Sequence, residues 1–326
     1  MMMHRSIALL AFALMAVPAP AQPVPDAWPA RQPVAMILPS GPGGSSDPLA
    51  RLLAEELGKR IGQGIVVQNR PGAGGNIGMA QAARVRPDGY TLLLSWTGPL
   101  ATNLALYRDV GYDPRRDFAP IGMVGCTPNV LAVAAAAPAR SLAAFMDGAR
   151  SQPGQVTYGS TGIGSSWHIA GEMVGLRVNS RLTHVPYTTP SAALTDLLAG
   201  RLAAIFPVVP MTVPHVQAGT LRVLAVFSGQ RASVLPEVPT TAELGYPELE
   251  SETCFALLAP TGTPVAVVDL LNSEMNAVLA EPVTRARIQA MGVTVSGGPP
   301  ADLARYLDRE IPRQAEIVAA SGARAD

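Results

Sequence analysis

The sequence predicts an α/β protein of two domains, and three observations carry that prediction. Strand-length apolar runs alternate with helix-length amphipathic ones from Val34 onward, the pattern of helices packed on sheets. The run Tyr90 to Leu94 has no polar alternation, so both its faces are covered, as in a parallel sheet between helices. Two Ser- and Gly-rich loops, each closing a strand and opening a helix, fall in different halves of the chain. About 300 residues remain once a leader is set aside, and that length suits two domains or one large one.

The leader comes first. His4 and Arg5 form a weakly basic start, Ile7 to Val17 an apolar core, and Ala19-Pro20-Ala21 the small residues before a cut placed ahead of Gln22. Residues 1–21 therefore read as a cleavable secretory signal, too short to span a membrane comfortably. Gln22 at the mature start, where a lipoprotein would carry Cys, argues against a lipid anchor. The destination is the periplasm if the cell has an outer membrane. Lys and Arg balance Asp and Glu at 24 each, with no basic block, so nucleic acid is not an expected partner. Cys126 and Cys254 could pair in an oxidising compartment. A chain this long needs no staple, however, and isolated cysteines are more often small buried residues; the balance is against a disulfide, with the question left open.

The first folded stretch is Val34 to Leu38, a strand that empties into Pro39-Ser40-Gly41-Pro42-Gly43-Gly44-Ser45-Ser46. Asp47-Pro48 then caps and starts a helix whose Leu49, Leu52, Leu53, Leu57 and Ile61 share one face, and Gly62 stops it. Ile65 to Gln68 is a short strand, and the loop Asn69 to Gly75 feeds a helix that Asn76 can cap. Pro87-Asp88-Gly89 turns the chain into Tyr90 to Leu94, whose end, Ser95-Trp96-Thr97, is a second candidate contact segment. Open α/β sheets bind ligands beyond the carboxyl ends of their strands. Ile121 to Val124 and Val130 to Val133 read as a crossing into another domain, and Leu221 to Val226 as the return. Between them lie a helix from Ser141, the strand Val156 to Tyr158, the loop Gly159 to Ser166, a helix from Trp167, the strand Leu182 to Val185, a helix at Ser191 to Ala199, the strand Leu202 to Phe206 and a short helix at Val213 to Ala218. The end reads as helical: Pro264 to Leu279, Pro282 to Met291 and Asp302 to about Ala320.

Chemistry-bearing motifs are few. The loop from Gly159 has the glycine spacing of a phosphate-binding loop but lacks its lysine, and Gly72, Gly74 and Gly78 miss the third spacing of a dinucleotide fingerprint. No GxSxG elbow occurs. His168, His184 and His215 lack metal-ligand spacing with Asp, Glu or Cys, and Met123, Met173, Met211 and Met291 read as core filler. No cofactor and no metal are expected. The simplest use of two Ser/Gly loops is a cleft in which facing helix N-termini clamp a small anion. A helix end contributes about 0.3–1 kcal/mol, or up to about 2 when partly buried, whereas micromolar binding needs about 8 kcal/mol. Hydroxyls, amides, bridging waters and closure of two domains must supply the difference.

Several segments in this order, PGGSSD ending at Asp47, QNRPGAGGNIG from Gln68, PDGYTLL from Pro87, YDPRRDFAP from Tyr112, HVPY from His184, ALTDLLAG from Ala193 and LLAPTGTP from Leu257, resemble the tripartite tricarboxylate transporter receptor family, the Bug-type periplasmic solute-binding proteins. That resemblance implies a type II Venus-flytrap fold with two crossing strands as hinge. It places domain one at 22–124 and 227–326 and domain two at 125–226. It also implies a non-enzymatic receptor that presents a small organic carboxylate or related solute to membrane transporter subunits; the chain is expected to work as a monomer. By position the family's carboxylate-binding loops fall on Ser40, Gly43, Gly44, Ser45 and Asp47 and on Ser95, Trp96 and Thr97; the second-domain contacts fall on Ser160, Thr161, Gly162, Ser165 and Ser166. His168 is then read as orienting its loop. Tyr187 matches the Val-Pro-Tyr motif, but Thr188-Thr189 replaces a frequent Lys-Gly; Pro207 replaces Asp or Asn, Cys254 an aromatic, and Trp96 a small polar residue. These departures imply a ligand less polar than an amino dicarboxylate, such as an aromatic or branched monocarboxylate or its amide. Two alternatives share the sequence: an exported hydrolase using Ser165 and His168, and a solute-sensing subunit of a signalling receptor.

Overall fold

An apolar strand covered on both faces must send alternate side chains into two different cores. The computed structural model, which describes residues 28–43 and 46–325, shows this arrangement; the expected leader lies outside the described residues. Strand β1 spans Val34–Leu38, helix α1 Ser46–Ile61 and β2 Ile65–Asn69. A helical turn at Ala73–Gly75 precedes α2 (Asn76–Ala82), and β3 is Thr91–Trp96. A helical segment at Gly98–Thr102 runs into α3 (Asn103–Leu106), followed by β4 (Phe118–Pro128) and β5 (Val130–Ala134). Then come α4 (Leu142–Ser151), β6 (Thr157–Ser160), α5 (Ser166–Val178) and β7 (Thr183–Pro186). These lead to α6 (Pro190–Leu198), β8 (Ala204–Ile205), α7 (Val209–Gln217) and β9 (Leu221–Val226). The chain finishes with β10 (Glu252–Pro260), α8 (Val265–Ala280), α9 (Pro282–Ala290), β11 (Thr294–Val295) and α10 (Pro300–Ser321).

Two mixed sheets result. The first has the order β11-β4-β10-β3-β1-β2, the second β7-β6-β8-β5-β9. In the first, β1 pairs parallel with β2 and β3, while β10 runs antiparallel between β3 and β4. Leu92 and Leu94 enter the core that contains α1 and α8, whereas Leu93 enters the one that contains α10. Each such leucine, fully buried, contributes about 1.5–3 kcal/mol. A third core, built around Tyr158, Phe206 and Phe227, belongs to the second sheet.

The crossing from one sheet to the other lies at Asn129. Strand β4 stays paired with β10 to Pro128, beyond the expected boundary at residue 124. Asn129 N donates to Ser251 O (2.9 Å), Phe227 N to Asn129 O (2.8 Å) and Ser251 N to Phe227 O (2.8 Å), so outgoing and returning strands are laced together there. Leu235, Leu249 and Val318 pack in the second core, although the sequence assigns residues 227–326 to the first domain.

Strand β10, central to the first sheet, goes unread in the sequence, because its short apolar run suits helix and strand alike. Three local expectations are corrected. Helix α1 begins at Ser46, so Asp47 lies inside its first turn and is not its cap. Asn76 is the first residue of α2 and not its cap; its Oδ1 is drawn inward to accept from Asn103 Nδ2 (2.7 Å) and Tyr112 Oη (3.0 Å). Cys126 and Cys254 face each other in the β4–β10 register and form a disulfide. The antiparallel pairing brings their Cα atoms to 3.9 Å across a sequence separation of 128, a proximity that only the unforeseen β10 creates.

Candidate ligand-binding cleft

The loop after β1 is held by charge. Asp47, buried in the first turn of α1, accepts from Gly43 N (3.1 Å), Asn69 Nδ2 (3.0 Å) and Arg51, whose Nε and Nη2 lie at 3.0 and 3.1 Å from its two oxygens. The hydrogen bond from Arg51 holds its carboxyl below the usual range, against the opposing effect of burial. Asp47 thus consumes a loop amide and offsets the positive end of α1, which is no longer an open anion site. Hydroxyls remain: Ser40 Oγ and Ser46 Oγ, 2.9 Å apart.

The loop after β6 is held by buried neutral groups. Ser165 caps α5 by accepting from His168 N (3.3 Å), and its hydroxyl donates to Gly162 O (2.8 Å). His168, 4% exposed, accepts from Gly164 N through Nδ1 (3.1 Å). Gly164 has φ of +81° and a Cβ there would collide with Leu106 of the first half, so the loop passes where only glycine fits. Beneath it, Ser160 Oγ meets His184 Nε2 at 2.6 Å, and the rings of His168 and His184 lie 4.3 Å apart, tilted by 37°. Tyr158 Oη donates to Glu172 Oε1 (2.6 Å). Burial pushes His168 down to about 3, helped by His184, and pushes His184 itself down to about 4. Both rings are therefore neutral at physiological pH.

Between the loops and the crossing lies a cavity of about 500 Å³. Ser40, Ser46, Trp96, Thr97 and Thr102 contribute from the first half, and Thr161, Ser165, Ser166 and Trp167 from the second. The first-turn amides of α5 at Ser166 and Trp167 have no intrahelical acceptor, so this end offers donors to an anion. Asn129 ties the cleft to the crossing: its Nδ2 donates to Phe206 O (2.7 Å) and Ser166 Oγ (3.2 Å). Apolar surface comes from Trp96, Val208, Met211, Phe255, Met291 and Val293.

Six of the expected residues line this cavity: Ser40, Trp96, Thr97, Thr161, Ser165 and Ser166. Gly43, Asp47, Gly162 and His168 shape the loops from behind. Gly44 and Ser45 lie outside the described residues. Ser95 is fully buried in β3, and Ser160 is turned down onto His184. Tyr187 donates to Asp196 Oδ2 (2.6 Å), and burial, reinforced by that bond, pushes its phenol up to about 12. Thr188 is exposed and is not among the residues that line the cavity. Pro207 is buried behind the wall, its carbonyl accepting from Val130 N (2.8 Å), and Cys254 is locked in the disulfide. These last three departures from the family pattern do not touch the cavity, and of the residues behind the less polar ligand only Trp96 does. Met211 and Met291, expected as core filler, are half-buried on the cavity wall, and sequence reading passed over Val293, Glu252, Phe255 and Gln314, which meet the cleft only because β10, β11 and α10 return beside β3 and β4.

The Ser165/His168 pair lacks hydrolase geometry. Ser165 Oγ bonds the backbone N–H of His168, and the ring's Nδ1 is occupied by Gly164, so no base faces the hydroxyl. Among the described residues the one close Ser–His pair, Ser160–His184, has its serine fully buried.

Known proteins resemble this chain over nearly its whole length. The family model of the tripartite tricarboxylate transporter family receptor matches residues 49–323. BugT of Bordetella pertussis is 39% identical over 300 residues, covering 92% of each chain. Among solved structures, the periplasmic binding protein BugD superposes with a TM-score of 0.77 at 32% identity, covering 90% of this chain and 99% of its own. Rpa4515 of R. palustris, determined with adipate, gives 0.81 at 35% identity over 91% and 99%. MatC of Rhodopseudomonas palustris, with bound malate, gives 0.77 at 28% over 89% and 99%.

Proposed function

Because the chain belongs to the tripartite tricarboxylate transporter receptor family, whose members are solute-binding receptors and not enzymes, we propose that it captures a small organic carboxylate or its amide for a membrane transporter of that type. The observation that carries the reading is the cavity with serine and threonine hydroxyls on two opposed walls, Ser40 and Ser46 against Thr161, Ser165 and Ser166. The adipate and malate of the two relatives support the ligand class. Export through a cleaved leader at residues 1–21 belongs to the same proposal, as does a working unit of one chain in two domains, which the sequence reading puts at 22–124 with 227–326 and at 125–226; the strands themselves cross at Asn129 and Phe227, and Leu235, Leu249 and Val318 reach over to the second core.

The mechanism is capture by closure. Hydroxyls and the α5 amides hold the anionic end, while Trp96, Phe255, Met211 and Val293 cover an apolar body. Asn129 sits where both strands cross and also touches Ser166, so rotation at the crossing moves the second wall onto the ligand. Native mass spectrometry of protein recovered from its own periplasm should release a small acid or amide. Calorimetry with that compound should show a tenfold or larger weakening in a Thr161→Val, Ser166→Ala double variant, since each lost hydrogen bond costs about 1 kcal/mol. A released compound with no acid or amide group, or an affinity the double variant leaves unchanged, would sink the proposal.

A further inference from the structure

The cavity wall contains one ionisable side chain among its described residues, and it is acidic: Glu252. No Arg, Lys or His lines the space with it. Alternation along β10 separates Glu252 and Cys254 from Thr253 and Phe255. Cys254 packs in the core beside Tyr306 and Leu307, Phe255 in the core beside Val293. The Glu252 carboxyl also lies within 4.8 Å of the two disulfide sulfurs; since those sulfurs are joined to each other, the trio is not a metal-ligand set. The cleft therefore has an apolar arm toward Phe255, Met291 and Val293 and a polar arm of Thr97, Thr102, Glu252 and Gln314.

Within the polar arm the other groups are already engaged. Thr97 Oγ1 meets Tyr306 Oη (2.8 Å) and accepts from Cys254 N (2.8 Å), and Thr102 Oγ1 donates to Gln314 Oε1 (2.9 Å). Gln314 Nε2 donates to Glu310 Oε1 (2.7 Å). Among the described residues, none donates a hydrogen bond to the Glu252 carboxyl. The charged groups around it are Glu250 on its own strand's approach and Arg309, Glu310 and Arg313 on α10. Both arginines are turned to other partners: Arg313 bonds Glu310 and the Glu250 carbonyl, and Arg309 lies over the Tyr306 ring.

We propose that Glu252 is a specificity residue of the cleft: it accepts a hydrogen bond from a donor on the ligand, an amide, ammonium or hydroxyl, and repels a second carboxylate. The preferred ligands are then acids with a single carboxylate and a donor at the far end, and simple dicarboxylates are selected against. This rests on the carboxylate-capture reading and adds to it which end of the ligand meets which wall. Burial, and then the neighbouring Glu250 and Glu310, push the Glu252 carboxyl up to about 7, so discrimination grows as pH rises through neutrality and fades below it.

The test is calorimetry on the full chain with three probes, adipate, adipic acid monoamide and hexanoate, at pH 8.5 and pH 6. At pH 8.5 the monoamide should bind at least tenfold tighter than adipate. Adipate should gain several-fold on lowering the pH to 6, and Glu252→Gln should abolish both the preference and that gain. A pH gain that persists in Glu252→Gln belongs to the ligand's own titration and counts against the proposal. Adipate binding as tightly as the monoamide at pH 8.5 overturns it even without a variant. If none of the three probes binds, the carboxylate-capture reading falls and this proposal with it; binding without discrimination removes Glu252's role alone.

Discussion

The two loops that face each other across the cleft are built on one plan and held in place by opposite means. Each closes a parallel strand and opens a helix, β1 into α1 and β6 into α5. The first is fastened by an ionised carboxylate, Asp47, with Arg51 half exposed beside it. The second is fastened by two neutral histidines, His168 buried and His184 half-buried, over Tyr158 and Glu172. A charged fastening near solvent is weak and reversible, because water screens it. A buried polar network is costly to break, because its members lose their partners in a medium that cannot replace them. The first wall is therefore the adaptable one, and the second is the rigid surface against which a ligand is pressed.

The largest effect that would sharpen this contrast is at His168. His168→Ala removes a buried ring and leaves Gly164 N without its acceptor, which together should cost about 2–4 kcal/mol of stability. Urea denaturation followed by circular dichroism measures it. A loss below about 1 kcal/mol, within the range of ordinary substitutions, would mean the second loop is no more firmly held than the first.

Acid separates the two fastenings next. His168 and His184 have folded values near 3 and 4 against 6.5 in the unfolded chain. As pH falls below 6.5 the unfolded state takes up protons that the folded state refuses, so stability is lost progressively down to about pH 4. The slope is at most about 1.4 kcal/mol per pH unit for each neutral histidine, and less for His184, which keeps some contact with solvent. Asp47, lowered from 3.8, contributes stability that is present above that value and lost only as pH falls below it. Thermal melts between pH 6.5 and 4 should thus show a slope that His184→Gln reduces and Asp47→Asn leaves alone.

The sequence made this pairing of loops visible but not the manner of their fastening. Periodicity and capping residues located α1, α5 and most strands because those signals are local. Leu92, Leu93 and Leu94 announced a strand covered on both faces, and the two cores receive them accordingly. What stayed hidden depends on long-range return: β10 beside β3 and β4, the Cys126–Cys254 bond that this pairing creates, and the cleft residues Glu252, Phe255 and Gln314. Tyr187, Thr188 and Pro207 were expected in the site from the family pattern; the cavity is lined instead by their chain neighbours Pro190 and Val208, a shift of a few residues that a motif match does not resolve.

On the first loop, Asp47→Ala should cost about 1–2 kcal/mol, since it frees Gly43 N and Asn69 Nδ2 and removes the acidic group from the start of α1. Arg51→Ala, on the other side of the same pair, should cost less than about 1 kcal/mol. The asymmetry follows from burial: the Asp47 side chain is 8% exposed and Arg51 54%. Without Arg51, Asp47 keeps the bonds from Asn69 Nδ2 (3.0 Å) and Gly43 N (3.1 Å), so its charge remains satisfied and the loop keeps its course. Arg51 also reaches Asn69 Oδ1 at 3.3 Å, a bond that water replaces at an exposed site with little loss. Denaturation of both single variants and of the double variant gives the coupling directly. Raising the salt concentration should shrink it, because an exposed pair is screened. A coupling that is large and indifferent to salt would mean the first loop is pinned as firmly as the second, and the difference between the two walls would disappear.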